Sequence, residues 1–366
     1  MNLASDPRTV MTLDAGGTNF RFSAIRGGKP IVEGVHIPTR AQELTTCLAS
    51  IIEGFEAVKA QCPEPPVAIS FCFPGPADYP KGIIGDLPNL PAFRGGVPLG
   101  PLLEAKFGIP VYINNDGDLF TYGEAIGGLL PHINGLLEKA GSPKRYRNLF
   151  GITLGTGLGG GLSRDGKLFV GDNSVAAEVW TLRHKLQLGL NAEEGACIRA
   201  VRRSYGEATG IAFDETPEPK DIFAMAQDAS SENQPAARQA FENLGEIAGD
   251  VMATALTLID GLGVIGGGVS GAWPAFLPSL VGEMNSDHTN PAGEKFRRMP
   301  AKAFNLEDPE QLEIFLKGET RRLAIPGTEQ FIDYDPLQRC GVGISRLGTS
   351  EAVALGAYAF ALDQLD

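Results

Sequence analysis

From residue 10 to 37 apolar and polar positions alternate, beginning with VMTLDAGGTNFRFSAI at 10–25. Alternation with a period of two predicts strands, and the glycine pair between two such runs predicts a tight turn. The period then lengthens. Over 41–60, Leu44, Leu48, Ile51, Ile52 and Phe55 recur at helical spacing. PPVAISFCFPGPAD predicts a buried strand stopped by Pro-Gly-Pro. PNLPAFRGGVPLGPLLEAKFGIP predicts a loop entering a helix at about 99–107. VYINNDGDLFTYGEAIGG predicts a strand feeding a helix. Strands that alternate with helices predict an α/β protein.

A second half starts at NLFGITLGTGLGGGLSRDGKLFV, again strand, glycine turn and strand. TLGTGLG in this stretch lies over TLDAGGT of the first, about 140 residues earlier. One such unit in each half predicts a duplicated architecture. Residues 192–260 read as largely helical, and GLGVIGGGVSGAW as a strand, a triple glycine and a helix start. The stretch 285–345 is punctuated by Pro and Gly and reads as an irregular insertion. The chain closes on an apolar helix capped by Thr349 or Ser350. The expected domains are 1–114 with 350–366, and 115–349.

The 366 residues suffice for one large or two ordinary cores, and 43% are hydrophobic. No apolar run reaches the roughly 18–20 residues of a membrane span, and the first residues do not read as a secretion signal. Five scattered cysteines predict reduced thiols and a cytoplasmic protein. The net charge of −13 disfavours nucleic acid and anionic membranes as partners. A polyanionic ligand must then be held by local donors and a cation.

The glycine turns supply such donors. Gly16 and Gly17 permit close approach of a phosphate to successive N–H groups, with Thr18 and Asn19 adding side-chain donors. Asp14, at the strand end, is suited to Mg²⁺ or its waters rather than to phosphate. Gly155, Thr156 and Gly157 offer a second grip, and Gly266, Gly267 and Gly268 a third before a helix. Ordinary tight turns would use the same residues. In INNDGD, a carboxylate at 116 is placed to take a proton from a hydroxyl. Equally, Asp116 or Asp118 would cap the helix that follows. Neither a Walker A pattern nor a Rossmann fingerprint is present.

Together these features imply a nucleotide held between two duplicated halves, as in the actin-like (ribonuclease H-like, hexokinase) ATPase fold. LDAGGTNFRF, PNLPAFRGGVPL, VYINNDGD, TLGTGLGGGL and VIGGGVSGAW, in this order, resemble the ROK family of sugar kinases and sugar-responsive repressors. The resemblance covers 10–284 and the last helix. It implies an ATP- and Mg²⁺-dependent hexose kinase, with Asp116 as catalytic base and Asn115 on the sugar. It also implies sugar contacts from Gly75, Asn89 and Glu178, and a homodimer.

Two departures stand out. Thr181 occupies the position of a family histidine, the nearest being His184, and the family's cysteine-rich zinc stretch is reduced to Cys197. No zinc is therefore expected, and Glu194 or Glu193 is the candidate for the family's downstream sugar-binding glutamate. A repressor is disfavoured, since only 13 residues precede Asp14 where a DNA-binding domain would lie. The leading expectation is phosphorylation of a hexose, of glucokinase type, at the 6-position. The alternatives are a sugar-binding protein without kinase activity, or a kinase for fructose, mannose or N-acetylmannosamine.

Overall fold

In the computed structural model, which describes residues 3–15, 19–87 and 90–366, the alternating opening is a hairpin. β1 (Val10–Ala15) pairs antiparallel with β2 (Asn19–Arg26), from Val10 opposite Ile25 to Ala15 opposite Phe20. β3 (Val35–Pro38) adds antiparallel to β2. The helical spacing produces α1 (Leu44–Gln61), which starts later than its pattern because the Glu43 carboxylate caps it, accepting from the Thr45 and Thr46 amides. β4 (Ala68–Cys72) lies parallel to β1, and after α2 (Leu99–Phe107), β5 (Val111–Asn114) lies parallel to β4. The faces of these elements meet in an aromatic core, in which Phe22 and Phe55 pack edge-to-face at 5.1 Å.

α3 (Asp116–Ile126) packs on the C-terminal helix, Thr349–Leu365, almost backbone to backbone. A Cβ on Gly123 would lie 1.9 Å from the Ala352 carbonyl oxygen, so only glycine permits this crossing. That packing takes α3 into the first unit, which comprises Met1–Gly128, Gly161–Ala176 and Leu347–Asp366. The expected boundary after 114 thus falls before the helix it should have followed. The residue preceding the C-terminal helix is Gly348 at φ +83°, and no side chain caps the helix there.

The second unit, Leu129–Gly160 with Ala177–Arg346, repeats the strand order of the first. It begins with α4 (Leu129–Lys139). β6 (Leu149–Leu154) is flanked on one side by β7 (Leu158–Arg164), whose end from Gly161 belongs to the first unit. The region expected to be largely helical forms α5 (Ile198–Thr209), α6 (Pro219–Gln227) and α7 (Gln234–Ile259). β8 (Leu262–Gly266) then runs parallel to β6, and α8 (Trp273–Met284) follows.

The stretch 285–345 is more regular than its punctuation suggests. β9 (Lys302–Asn305), α9 (Pro309–Lys317), a hairpin of β10 (Arg321–Ala324) and β11 (Phe331–Tyr334), and β12 (Arg339–Ile344) lie within it. β12 is parallel to both β8 and β9, so two strands of the second sheet come from this stretch. Buried Arg339 anchors it through a 2.6 Å ion pair to Asp335 and a 2.7 Å bond to the Phe315 carbonyl. Short strands give little periodicity to read. No helix among the described residues is long and apolar enough to cross a membrane.

Candidate active site

Four of the expected residues, Gly16, Gly17, Thr18 and Asn89, lie outside the described residues. On either side of Asn89, Leu87, Leu90 and Phe93 are buried, and Arg94 donates to the Leu87 and Phe93 carbonyls at 2.7 Å. At the hairpin, Asp14 is exposed at the end of β1 directly opposite Arg21, so both side chains leave the same face of the sheet. Asn19, also exposed, opens β2. Gly75 is exposed just beyond β4.

β5, buried over its last two residues, brings the chain to the start of α3. There Asn115, not Asp116 or Asp118, is the N-cap, and its Oδ1 accepts from the Gly117 amide at 2.8 Å. Asn115 keeps its Nδ2 for another acceptor. Asp116 is the first helical residue, and its Oδ1 shares the same amide at 2.9 Å. The carboxylate retains contact with solvent, yet the protein packed around it desolvates the charge and raises its pKa above the ordinary carboxylate value. The amides of Gly117 and Asp116 lower it, and the nearby charge of Asp14 raises it further. Asp14 and Asp116 therefore lie within each other's field. Cys72, at the end of β4, feels both carboxylates as well as burial, and its thiol is pushed far up.

In the second unit, two of the three glycine clusters are brought together. The turn 155–157 leaves β6, and Gly155 N–H donates to the Gly157 carbonyl at 3.0 Å. Gly267, just past β8, packs against the backbone of Leu154 immediately before this turn. At φ +90°, and with a virtual Cβ 2.4 Å from the Leu154 oxygen, the position admits only glycine. The Val269 amide donates to that oxygen at 3.0 Å. Gly266 ends β8, Gly268 faces open space, and Thr156 is exposed. A groove of about 610 Å³ is lined by residues of α6, α7 and the first turns of α8, including Gln227, Arg238, Glu242, Asn243, Pro274 and Ser279.

Glu178 accepts a hydrogen bond from the indole of half-exposed Trp180. The backbone bends sharply before it, with Ala177 at φ +62°. Thr181 turns its hydroxyl back to the Glu178 carbonyl at 2.8 Å. His184 is buried, and its Nδ1 accepts from the amides of Leu186 and Gln187. Burial lowers its pKa, with Arg203 adding to the effect.

Glu194 is more heavily engaged than a free sugar ligand would be. Arg203 and Arg199 occupy its two oxygens and hold its pKa below the usual range. Glu193 pairs with Arg199 at 3.1 Å and accepts from the Leu158 amide at 3.0 Å. Sequence reasoning missed Trp180, Arg199 and Arg203. The helical spacing of the two arginines beside a Glu pair was the available signal. Among the described residues, no group of three or more His, Cys, Asp or Glu side chains is arranged to hold a metal.

A sequence model of the ROK family matches residues 10–303. The chain belongs to the ROK family. A solved structure of glucokinase from Parabacteroides distasonis is 52% identical to this ROK protein, covers 99% of both chains and superposes with a TM-score of 0.90. An N-acetylgalactosamine kinase of a Shewanella species is 28% identical over 70% of this chain and 81% of its own. A ROK glucokinase from Streptomyces griseus, solved with glucose and AMPPNP, is 20% identical, covers 96% of this chain and 98% of its own, and has a TM-score of 0.61, a likeness of fold. The duplicated strand order is that of the actin-like ATPases.

Proposed function

We propose that this ROK protein is an ATP-dependent sugar kinase that transfers the γ-phosphoryl group to the 6-hydroxyl of glucose. Asp116 carries the reading. It is a solvent-accessible carboxylate at the start of α3, with its pKa raised above the ordinary carboxylate value. The sugar hydroxyl would give its proton to Asp116 as the phosphoryl group arrives. Asn115, with Oδ1 committed to the helix cap, would donate Nδ2 to a second hydroxyl. Gly75, Asn89 and Glu178 are the further sugar contacts we assign, and Glu194, with both oxygens held by arginines, is left out of them. Trp180 would hold the Glu178 carboxylate for a pair of adjacent ring hydroxyls.

Backbone N–H groups at 16–18, 155–157 and 266–268, with Asn19, would hold the phosphates, and the groove at the start of α8 offers room for the nucleoside. Asp14 fits a hard cation, since Mg²⁺ takes one or two carboxylates and completes its shell with water and phosphate oxygens. Bound there through Asp14, it would spread the charge of the transferring group. We further propose that the enzyme acts in the cytoplasm as a homodimer.

Glucose is preferred because the 52% identical relative is a glucokinase by name. The 28% identical relative named for an N-acetylated sugar supports a second reading, an amino-sugar acceptor. A coupled assay of ADP release separates them across glucose, fructose, mannose, N-acetylmannosamine and N-acetylgalactosamine. The highest kcat/KM is expected for glucose. Absence of sugar-stimulated ADP release would overturn the kinase assignment.

A further inference from the structure

A glycine-rich turn has many conformations, and a phosphate grip needs one of them. The segment 193–199 holds the turn 155–157 from one side. Ile198, first residue of α5, donates its amide to the Gly155 carbonyl at 2.8 Å. Arg199 donates Nη1 to the Thr156 carbonyl at 2.7 Å. Glu193 accepts from the Leu158 amide, and its carboxylate fills the space in which a Cβ on Gly157 would sit, 2.5 Å away.

The consequence follows from peptide geometry. In a trans peptide the C=O and the N–H point in opposite directions. With the carbonyls of Gly155 and Thr156 both drawn toward 198 and 199, the N–H groups of Thr156 and Gly157 point away from that segment. Neither donates to another described residue. Two neighbouring N–H groups aimed the same way form an anion-binding concavity.

We infer that Arg199 is a positioning residue for nucleotide binding: it orients the 155–157 turn so that its amides meet phosphate oxygens. Its charge is already matched by Glu193 and Glu194, and Glu194 is shared with Arg203. Arg199 therefore acts through the backbone it holds, not as a free cation for phosphate. The inference rests on the kinase reading, because it takes ATP as the ligand of this turn.

The test compares Arg199→Met with Arg203→Met, which loosens the same glutamate without touching the turn. Arg199→Met should raise the KM for ATP about tenfold, the size of one hydrogen bond from a charged donor, with the sugar KM within about twofold. Arg203→Met should leave the ATP KM within about twofold, and Arg199→Lys, which keeps a donor for Thr156, should recover most of the affinity. Calorimetric titration of AMPPNP into the same proteins reads nucleotide binding without sugar turnover. A wild type that binds AMPPNP but phosphorylates no sugar sinks the kinase reading alone, and a roughly tenfold weaker AMPPNP affinity in Arg199→Met then still upholds this one. Unchanged nucleotide affinity in folded Arg199→Met, or an equal loss in Arg203→Met, overturns it. If Arg199→Met does not fold, Arg199→Gln is read by the same criteria.

Discussion

The two units share a strand order but use it differently. In the first, the sheet delivers side-chain charge: Asp14 at a strand end and Asp116 at a helix start, each in the field of the other. In the second, it delivers backbone: two glycine clusters packed against each other through Leu154, and a turn held by hydrogen bonds to its carbonyls. On the proposed reading, the first copy supplies the proton acceptor and the second copy supplies turn amides for phosphate. Chemistry and binding should separate on substitution.

The largest effect is expected in the first unit. Asp116→Asn keeps an acceptor for the Gly117 amide but loses the base, and should lower kcat by about 10²–10⁴-fold with ATP and sugar KM nearly unchanged. The same variant should melt at a higher temperature than wild type at neutral pH. A carboxyl whose folded pKa is raised binds its proton more tightly when folded, so stability falls as pH rises through that pKa. Removing the ionised group removes the cost. Steady-state kinetics and a melting curve check both parts, and an equal loss in KM would blur the contrast between the units.

The next effect lies in the second unit and is structural. Gly267→Ala forces a Cβ against the Leu154 oxygen at a positive φ, and should destabilise the protein by about 2–3 kcal/mol. Chemical denaturation reads this, and an unchanged midpoint would remove the Leu154 contact from the account. The smallest effect is expected at Trp180→Phe, which removes the indole donor to Glu178. About 1 kcal/mol, or roughly fivefold in sugar KM, is expected with kcat preserved. A change in ATP KM instead would reassign Glu178.

Much of this was legible in the chain. β1 and β6 fall where the two strand–glycine turn–strand units predict them, and α2 spans the expected 99–107. The N-cap at Asn115 was less legible, because three neighbouring polar residues compete for it and only backbone geometry decides. The strands within 285–345 escaped notice because four or six residues flanked by Pro and Gly carry almost no period. The Arg199 contact to Thr156 spans 43 residues and ends on a carbonyl, a partner that every residue offers. Sequence pattern reports which face is buried. It does not report which backbone atom a guanidinium reaches.

The central claim is that ionised Asp116 accepts the proton during transfer, and the pH dependence of kcat/KM tests it most directly. Wild-type turnover should fall on the acid side through a single protonation with a midpoint above the ordinary aspartate value, and the residual turnover of Asp116→Asn should lack that limb. An acid limb that persists unchanged in the variant would contradict the account.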